Sequence, residues 1–288
     1  MGHRKRPWEP GRVDHLRQRL PAGRRRHRHR ARRYRRSVAL AVVLACVSVL
    51  LMADSTPHRV PILGIPAYFY PAPGDGHWTR LLDTAGEALV IINPASGPGP
   101  RIDPVYAEVA GRLRDERSNV YGYVDTAYGS RDESAILADA ERFRDWYHVG
   151  GIFLDQTAPT AAHLDYYREI AAALHADGLQ VAMNPGQPDI DRRYLGLVEH
   201  VVMFEGSYRT YLATTFPHWV GDYSSSKIWH LVYDVPDAEA MGRVLDFAGE
   251  HNAGVVFVTD GIMPNPWDRL PPYWELERRL TVGGPARV

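Results

Sequence analysis

Eight short runs rich in β-branched and aromatic residues recur along this chain, and most are followed by a stretch with helical spacing. The runs are VPILGIPAYFYP from Val60, ALVIINP from Ala88, NVYGYVDTAYG from Asn119 and GGIFLDQ from Gly150, then LQVAMNPG from Leu179, HVVMFEG from His200, KIWHLVYDV from Lys227 and AGVVFVTDG from Ala253. Helical periodicity marks Val105–Arg117, Asp132–Tyr147, Ala161–Ala176 and Asp237–His251. Strand and helix in alternation argue for a parallel sheet built of βα units. Asp132 and Asp237 are placed to cap helices, and Gly178 to stop one in the left-handed conformation. Helices are poorly defined after Pro188 and between Tyr208 and Ser226.

An open, doubly wound sheet would show the same alternation. It would carry a glycine-rich phosphate loop after its first strand, and none is present; eight units in about 230 residues suit a closed (β/α)8 TIM barrel. The expected organisation is one barrel domain over residues 54–288, preceded by a basic tail (1–36) and one transmembrane or signal segment (37–53).

The formal net charge of zero conceals two opposite halves. Residues 1–36 hold 15 of the 34 Arg and Lys against only Glu9 and Asp14, which leaves 19 basic and 32 acidic residues downstream. Directly after these cations comes SVALAVVLACVSVLLMA, 17 uncharged residues from Ser37 to Ala53. That length lies where signal-peptide cores and membrane-spanning helices meet. The basic flank orients the amino terminus towards the cytoplasm and the barrel outside it. An uncleaved cell-membrane anchor is the first reading, a cleaved signal peptide with secretion the second. The apolar neighbour accounts for the cations, so no nucleic-acid partner is expected. Cys46, the single cysteine, lies in the apolar run, which denies the body disulfides, a cysteine nucleophile and a thiolate metal site.

Barrel enzymes build their sites at the C-terminal ends of the strands. Those ends carry Tyr68 and Tyr70, Asn93, Asp125, Asp155 with Gln156, Asn184, Glu205, Asp234 and Asp260. Asp155 and Glu205 each follow an apolar run, where partial desolvation raises a carboxyl pKa towards the range useful for general acid work. A lone strand-end carboxylate is as readily a helix cap or an ion-pair partner. Two on strands four and six, facing one mouth, form the pair that glycoside hydrolysis requires. Tyr68, Tyr70, Tyr128, Tyr208, Tyr211, Trp229, Tyr233 and Trp267 lie in or just past strand ends, where rings either pack or hold sugars. The histidines show no metal-ligand spacing, so neither metal nor cofactor is expected.

Read in order, PAYFYP, VIINPASGPG, GYVDTAYGSR, GIFLDQ, MNPG, VMFEG and FVTDG make the stretch from Ile62 to Leu280 resemble the spherulation-specific family-four proteins, grouped as glycoside hydrolase family 135. The resemblance implies a (β/α)8 barrel with endo-acting hydrolysis of an α-1,4-linked galactosamine or N-acetylgalactosamine exopolysaccharide. It also implies an Asp-Glu pair after strand four and a Glu on strand six. Asp155 and Glu205 match, whereas Gln156 stands where the pair's second acid would be. An amide hydrogen-bonds but moves no catalytic proton. Two readings follow. In one, Asp155 and Glu205 are catalytic, and Tyr68, Tyr70, Asn93, Asp125, Tyr128, Gln156, Asn184, Tyr208, Tyr233 and Asp260 hold the polysaccharide. In the other, the barrel binds glycan and has lost turnover through Gln156. A third, an enzyme of phosphorylated metabolites, is disfavoured by the acidic body and the lack of a glycine-rich site after strand seven. The expected carboxyl separation is the short one of retaining hydrolases, with a raised pKa on one member.

Overall fold

The computed structural model describes residues 61–84 and 88–281. All eight expected strands are present: β1 Ile62–Ala67, β2 Leu89–Ile92, β3 Asn119–Asp125, β4 Gly151–Asp155, β5 Gln180–Met183, β6 His200–Ser207, β7 Ile228–Tyr233 and β8 Val255–Val258. Each pairs in parallel with its sequence neighbours, and β8 returns to β1, so the sheet is a closed barrel rather than an open one. The basic tail and the apolar run 37–53 lie outside the described residues. Among the described residues no helix is long and apolar enough to cross a membrane.

The helices are α1 Gly76–Thr84, α2 Pro104–Asp115, α3 Glu133–Arg142, α4 Leu164–Ala176, α5 Tyr208–Leu212, α6 Ala238–Glu250 and α7 Trp274–Thr281. Asp237 caps α6 through Ala240 N–H at 2.8 Å, and Gly178 ends α4 with a φ of 78°. Asp132 differs from expectation, since its side chain makes no cap bond; α3 is opened instead by the backbone carbonyl of Asp132, which accepts from Ile136 N–H. The segment expected to be helical to Tyr147 changes to a π-helical turn from Phe143. After β5 there is only a 3-10 turn, Arg192–Gly196, and after β6 the short α5 and two 3-10 turns, matching the stretches where helical spacing fails.

Side chains of one strand alternate between the lumen and the helix layer. Gly64 of β1 faces inward against the indole of Trp229 on β7; a methyl group there would meet Trp229 at 2.3 Å. Trp229 in turn meets Phe153 of β4 edge-on at 5.6 Å, so these side chains fill the lumen. Nearer the N-terminal end, Tyr121 and Asn119 of β3 donate to Gln180 Oε1 of β5 at 2.8 and 2.7 Å. The closing seam is short, with only Ile62 and Leu63 in register with Val255 and Val256. Above it, Val258 N–H donates 2.7 Å to Glu277 Oε1 of α7, a fully buried carboxyl.

Candidate active site

At the C-terminal end, the same alternation that stacks Tyr121 and Phe153 in the lumen brings up Tyr123 and Asp155, two residues further along β3 and β4. Asp155 ends β4 in register with Asp125. On β6 a register shift between Val202 and Phe204 precedes Glu205, which pairs with Leu231 of β7. Its own N–H donates to Gly186 O at 3.0 Å, so the loop after β5 anchors it.

Asn184, one residue beyond β5, sits between the strands that carry the two acids. Its Nδ2 donates to Asp155 Oδ1 at 2.7 Å and to Glu205 Oε2 at 2.6 Å. Both bonds start on one nitrogen, so the two oxygens are no farther apart than the bonds laid end to end. That upper bound on the nearest oxygens is shorter than the ~6.5 to 9.5 Å that inverting glycosidases leave between their carboxyl groups for a water. Tyr123 OH donates to Asp155 Oδ2 at 2.7 Å, and Trp267 Nε1–H to Glu205 Oε1 at 3.3 Å.

Burial pushes the Asp155 carboxyl up from its ordinary range, against the pull of the Tyr123 hydroxyl, the Gln156 backbone N–H and Asn184; the charge of Asp125 adds to the rise. Burial also pushes Glu205 up, reinforced by the charge on Asp155 and opposed by Asn184 and Trp267. Asp155 thus accepts three donors and Glu205 two, one of them long. The arrangement favours a charged Asp155 beside a protonated Glu205, the asymmetry that a pair of acids needs to take different roles.

A cleft of about 410 Å³ opens on Glu205, with Tyr68, Asn93 and Ser96 on one side and the Met263–Trp267 loop on the other. Burial and the two carboxylates push the Tyr68 phenol well up, which keeps it a neutral donor. Asn93 lines this cleft, with its Oδ1 accepting from Gly97 N–H at 2.9 Å. Asp125 is similarly engaged by Ala127 N–H at 2.6 Å. Tyr233 meets Trp267 edge-on at 6.1 Å.

Other expected residues are not part of the lining of this cleft. Tyr128 stands exposed on the loop after β3, and Tyr70 is exposed beside Tyr106 of α2. Gln156 adopts a left-handed φ of 50°, and its carbonyl accepts from Tyr128 N–H and Thr126 Oγ1 at 2.8 Å. Asp260 is engaged by Arg269 at 3.0 Å, and Asp234 is exposed. Tyr208 belongs to the helix layer, where its hydroxyl accepts from Arg243 Nε of α6 at 2.8 Å. Trp229 and Tyr211 are fully buried packing groups, in the lumen and among Phe204, Phe216 and His230 respectively. Among the described residues no group of His, Cys, Asp and Glu is arranged to hold a metal.

Spherulation-specific family 4 matches residues 62–278, which contain every strand and both acids. The chain belongs to this family. Spherulin-4 of Physarum polycephalum is 28% identical over 212 residues, covering 68% of this chain and 62% of that protein. The match therefore spans less than two thirds of that family member's length. Sph3 of Aspergillus clavatus, solved in complex with GalNAc, superposes with a TM-score of 0.69 at 26% identity, covering 77% of this chain and 98% of Sph3. The spore cortex-lytic enzyme SleL of Bacillus megaterium QM B1551 shares the fold, with a TM-score of 0.51 at 8% identity over 77% of this chain and 73% of SleL.

The hydrogen bonds made at Gln156 come from its backbone, the N–H donating to Asp155 and the carbonyl accepting from Tyr128 and Thr126. Tyr123 was not among the expected site residues. The same period of two that places Asp125 on the inner face also places Tyr123 there, and that was the signal available for it.

Proposed function

We propose that this chain hydrolyses glycosidic bonds within an α-1,4-linked galactosamine or N-acetylgalactosamine exopolysaccharide. The observation that carries the reading is the Asn184 nitrogen shared by Asp155 and Glu205. Family membership and the GalNAc complex of Sph3 support the sugar class. Glu205 donates its proton to the leaving oxygen while an Asp155 oxygen attacks the anomeric carbon. Glu205, now a carboxylate, then takes a proton from the water that releases the sugar from Asp155. Nothing in this cycle requires an acid at position 156.

Polymer incubated with the native chain, Glu205→Gln and Gln156→Glu, with products sized by mass spectrometry, tests the proposal. Oligosaccharides from the native chain are expected, with a loss on the order of 10²- to 10⁴-fold in Glu205→Gln while binding is retained. Undiminished cleavage by Glu205→Gln would sink the assignment. Cleavage appearing only in Gln156→Glu would make the native chain a glycan-binding barrel.

We further propose, from the cations of residues 1–36 and the apolar run 37–53, that the barrel works outside the cytoplasm on a membrane anchor. Fractionation of cells expressing the full chain, beside a version starting at residue 54, tests this. Equal recovery of both in the cytosol would refute it.

A further inference from the structure

Five side chains and the Gln156 backbone N–H face the Asp155 carboxyl. Tyr123 and Asp125 approach from β3, Tyr68 from just past β1, Asn184 from the end of β5 and Glu205 from β6. Asn184 treats the two acids alike, donating to one oxygen of each at nearly equal length. It therefore holds them together without deciding which one keeps the proton. Asp125 and Glu205 repel charge on Asp155, and Tyr68 makes no hydrogen bond to it. Of the side chains that face it, Tyr123 alone gives Asp155 a donor that Glu205 does not share.

Its placement is rigid. The Tyr123 ring is buried and meets Tyr68 edge-on, with centroids 5.7 Å apart and planes at 85°. The hydroxyl is thereby aimed at Oδ2, the oxygen that Asn184 leaves free. A hydrogen bond to an ionised acceptor is shorter and about twice as strong as a neutral one, so a 2.7 Å donor favours the charged form of its partner. Burial and the nearby carboxylates also keep the phenol itself neutral, and hence a donor, across the working range of the acids.

We infer that Tyr123 is a positioning residue that selects Asp155, rather than Glu205, as the charged member of the pair. It need not touch the sugar to do so. Losing its hydroxyl would let Asp155 compete for the shared proton, and the acid and nucleophile roles would no longer be separated.

The kinetic consequence rests on the proposed hydrolase activity, whereas the titration does not. Carbon-13 NMR of aspartate-carboxyl-labelled protein follows the ionisation of Asp155, assigned by the signal missing in Asp155→Asn. In Tyr123→Phe the midpoint is expected to rise by about one pH unit, the size of effect that one hydrogen bond to a charged group exerts. With 3-fluorotyrosine at position 123, a stronger donor in the same ring, the midpoint is expected to fall. This second replacement keeps the test open should Tyr123→Phe fold poorly. The acidic limb of kcat/KM should move with the NMR midpoint while KM holds. An unchanged Asp155 midpoint in the folded replacements overturns the inference, as does a uniform loss of kcat with fixed limbs. The expected midpoint shifts in the replacements, with a native chain that cleaves no glycan, would count against the hydrolase reading and for the role of Tyr123.

Discussion

Glu205 and Trp267 are 62 residues apart in the chain and 3.3 Å apart at Oε1 and Nε1. The indole N–H is the donor that Glu205 does not share with Asp155, and it favours the charged carboxylate. Trp267→Phe removes the donor while keeping an aromatic wall, so the Glu205 carboxyl should hold its proton to higher pH. The basic limb of the kcat profile is expected to move up by less than about one pH unit, since the bond is long. A limb that stays in place would show that this contact leaves the acid's ionisation unaffected.

A second acid invites a stability measurement. Glu277 is fully buried, and burial pushes its carboxyl well above the ordinary range against the pull of Val258 N–H. The folded state therefore holds a proton that the unfolded chain releases near pH 4.3, the usual value for Glu. Its contribution is fully present below that pH and is lost as pH rises towards the folded value. Glu277→Gln keeps a carbonyl acceptor for Val258 without the charge. The native Tm should decline between pH 4 and 8 more steeply than that of Glu277→Gln, whereas parallel curves would refute the assignment.

Gly64 carries a packing prediction. The added methyl group of Gly64→Ala would lie 2.3 Å from the fully buried Trp229 indole and 2.5 Å from a Val255 methyl, with no flexible side-chain end to yield. Overpacking of this kind costs about 1 to 3 kcal/mol. Denaturant unfolding should show a loss of that size, and a change below about 0.5 kcal/mol would mean that the lumen adjusts.

The barrel was legible because its signal is repetitive: eight β-rich runs recur where the eight strands form. What was less legible depends on neighbours that no local pattern specifies. Asp132 has the residue type and position of a cap, yet the turn before α3 closes without its side chain. Tyr208 follows β6 closely enough to resemble a mouth residue, but it opens α5 and turns to Arg243 in the helix layer. Within the site, Asp155 and Glu205 stood out as acids after apolar runs, and Asn184 as a polar strand end. The bridging role of Asn184 depends on β5 lying between β4 and β6. Tyr123 escaped notice because an aromatic residue inside a strand ordinarily signals packing.

The seam between β1 and β8 bears on the order in which the site is completed. Two residue pairs and the bond from Ile62 N–H to Gly254 O join β1 to β8, so closure of the barrel depends on residues from 254 onward. A chain ending at residue 250 would lack β8, leaving β1 and β7 without their shared neighbour and Glu205 without Trp267. Such edges are sticky until covered. Asp155, Asn184 and Glu205 all precede that point, yet Glu205 gains its indole donor only from the loop after β8, so closing the barrel comes before completing the hydrogen bonds of the site.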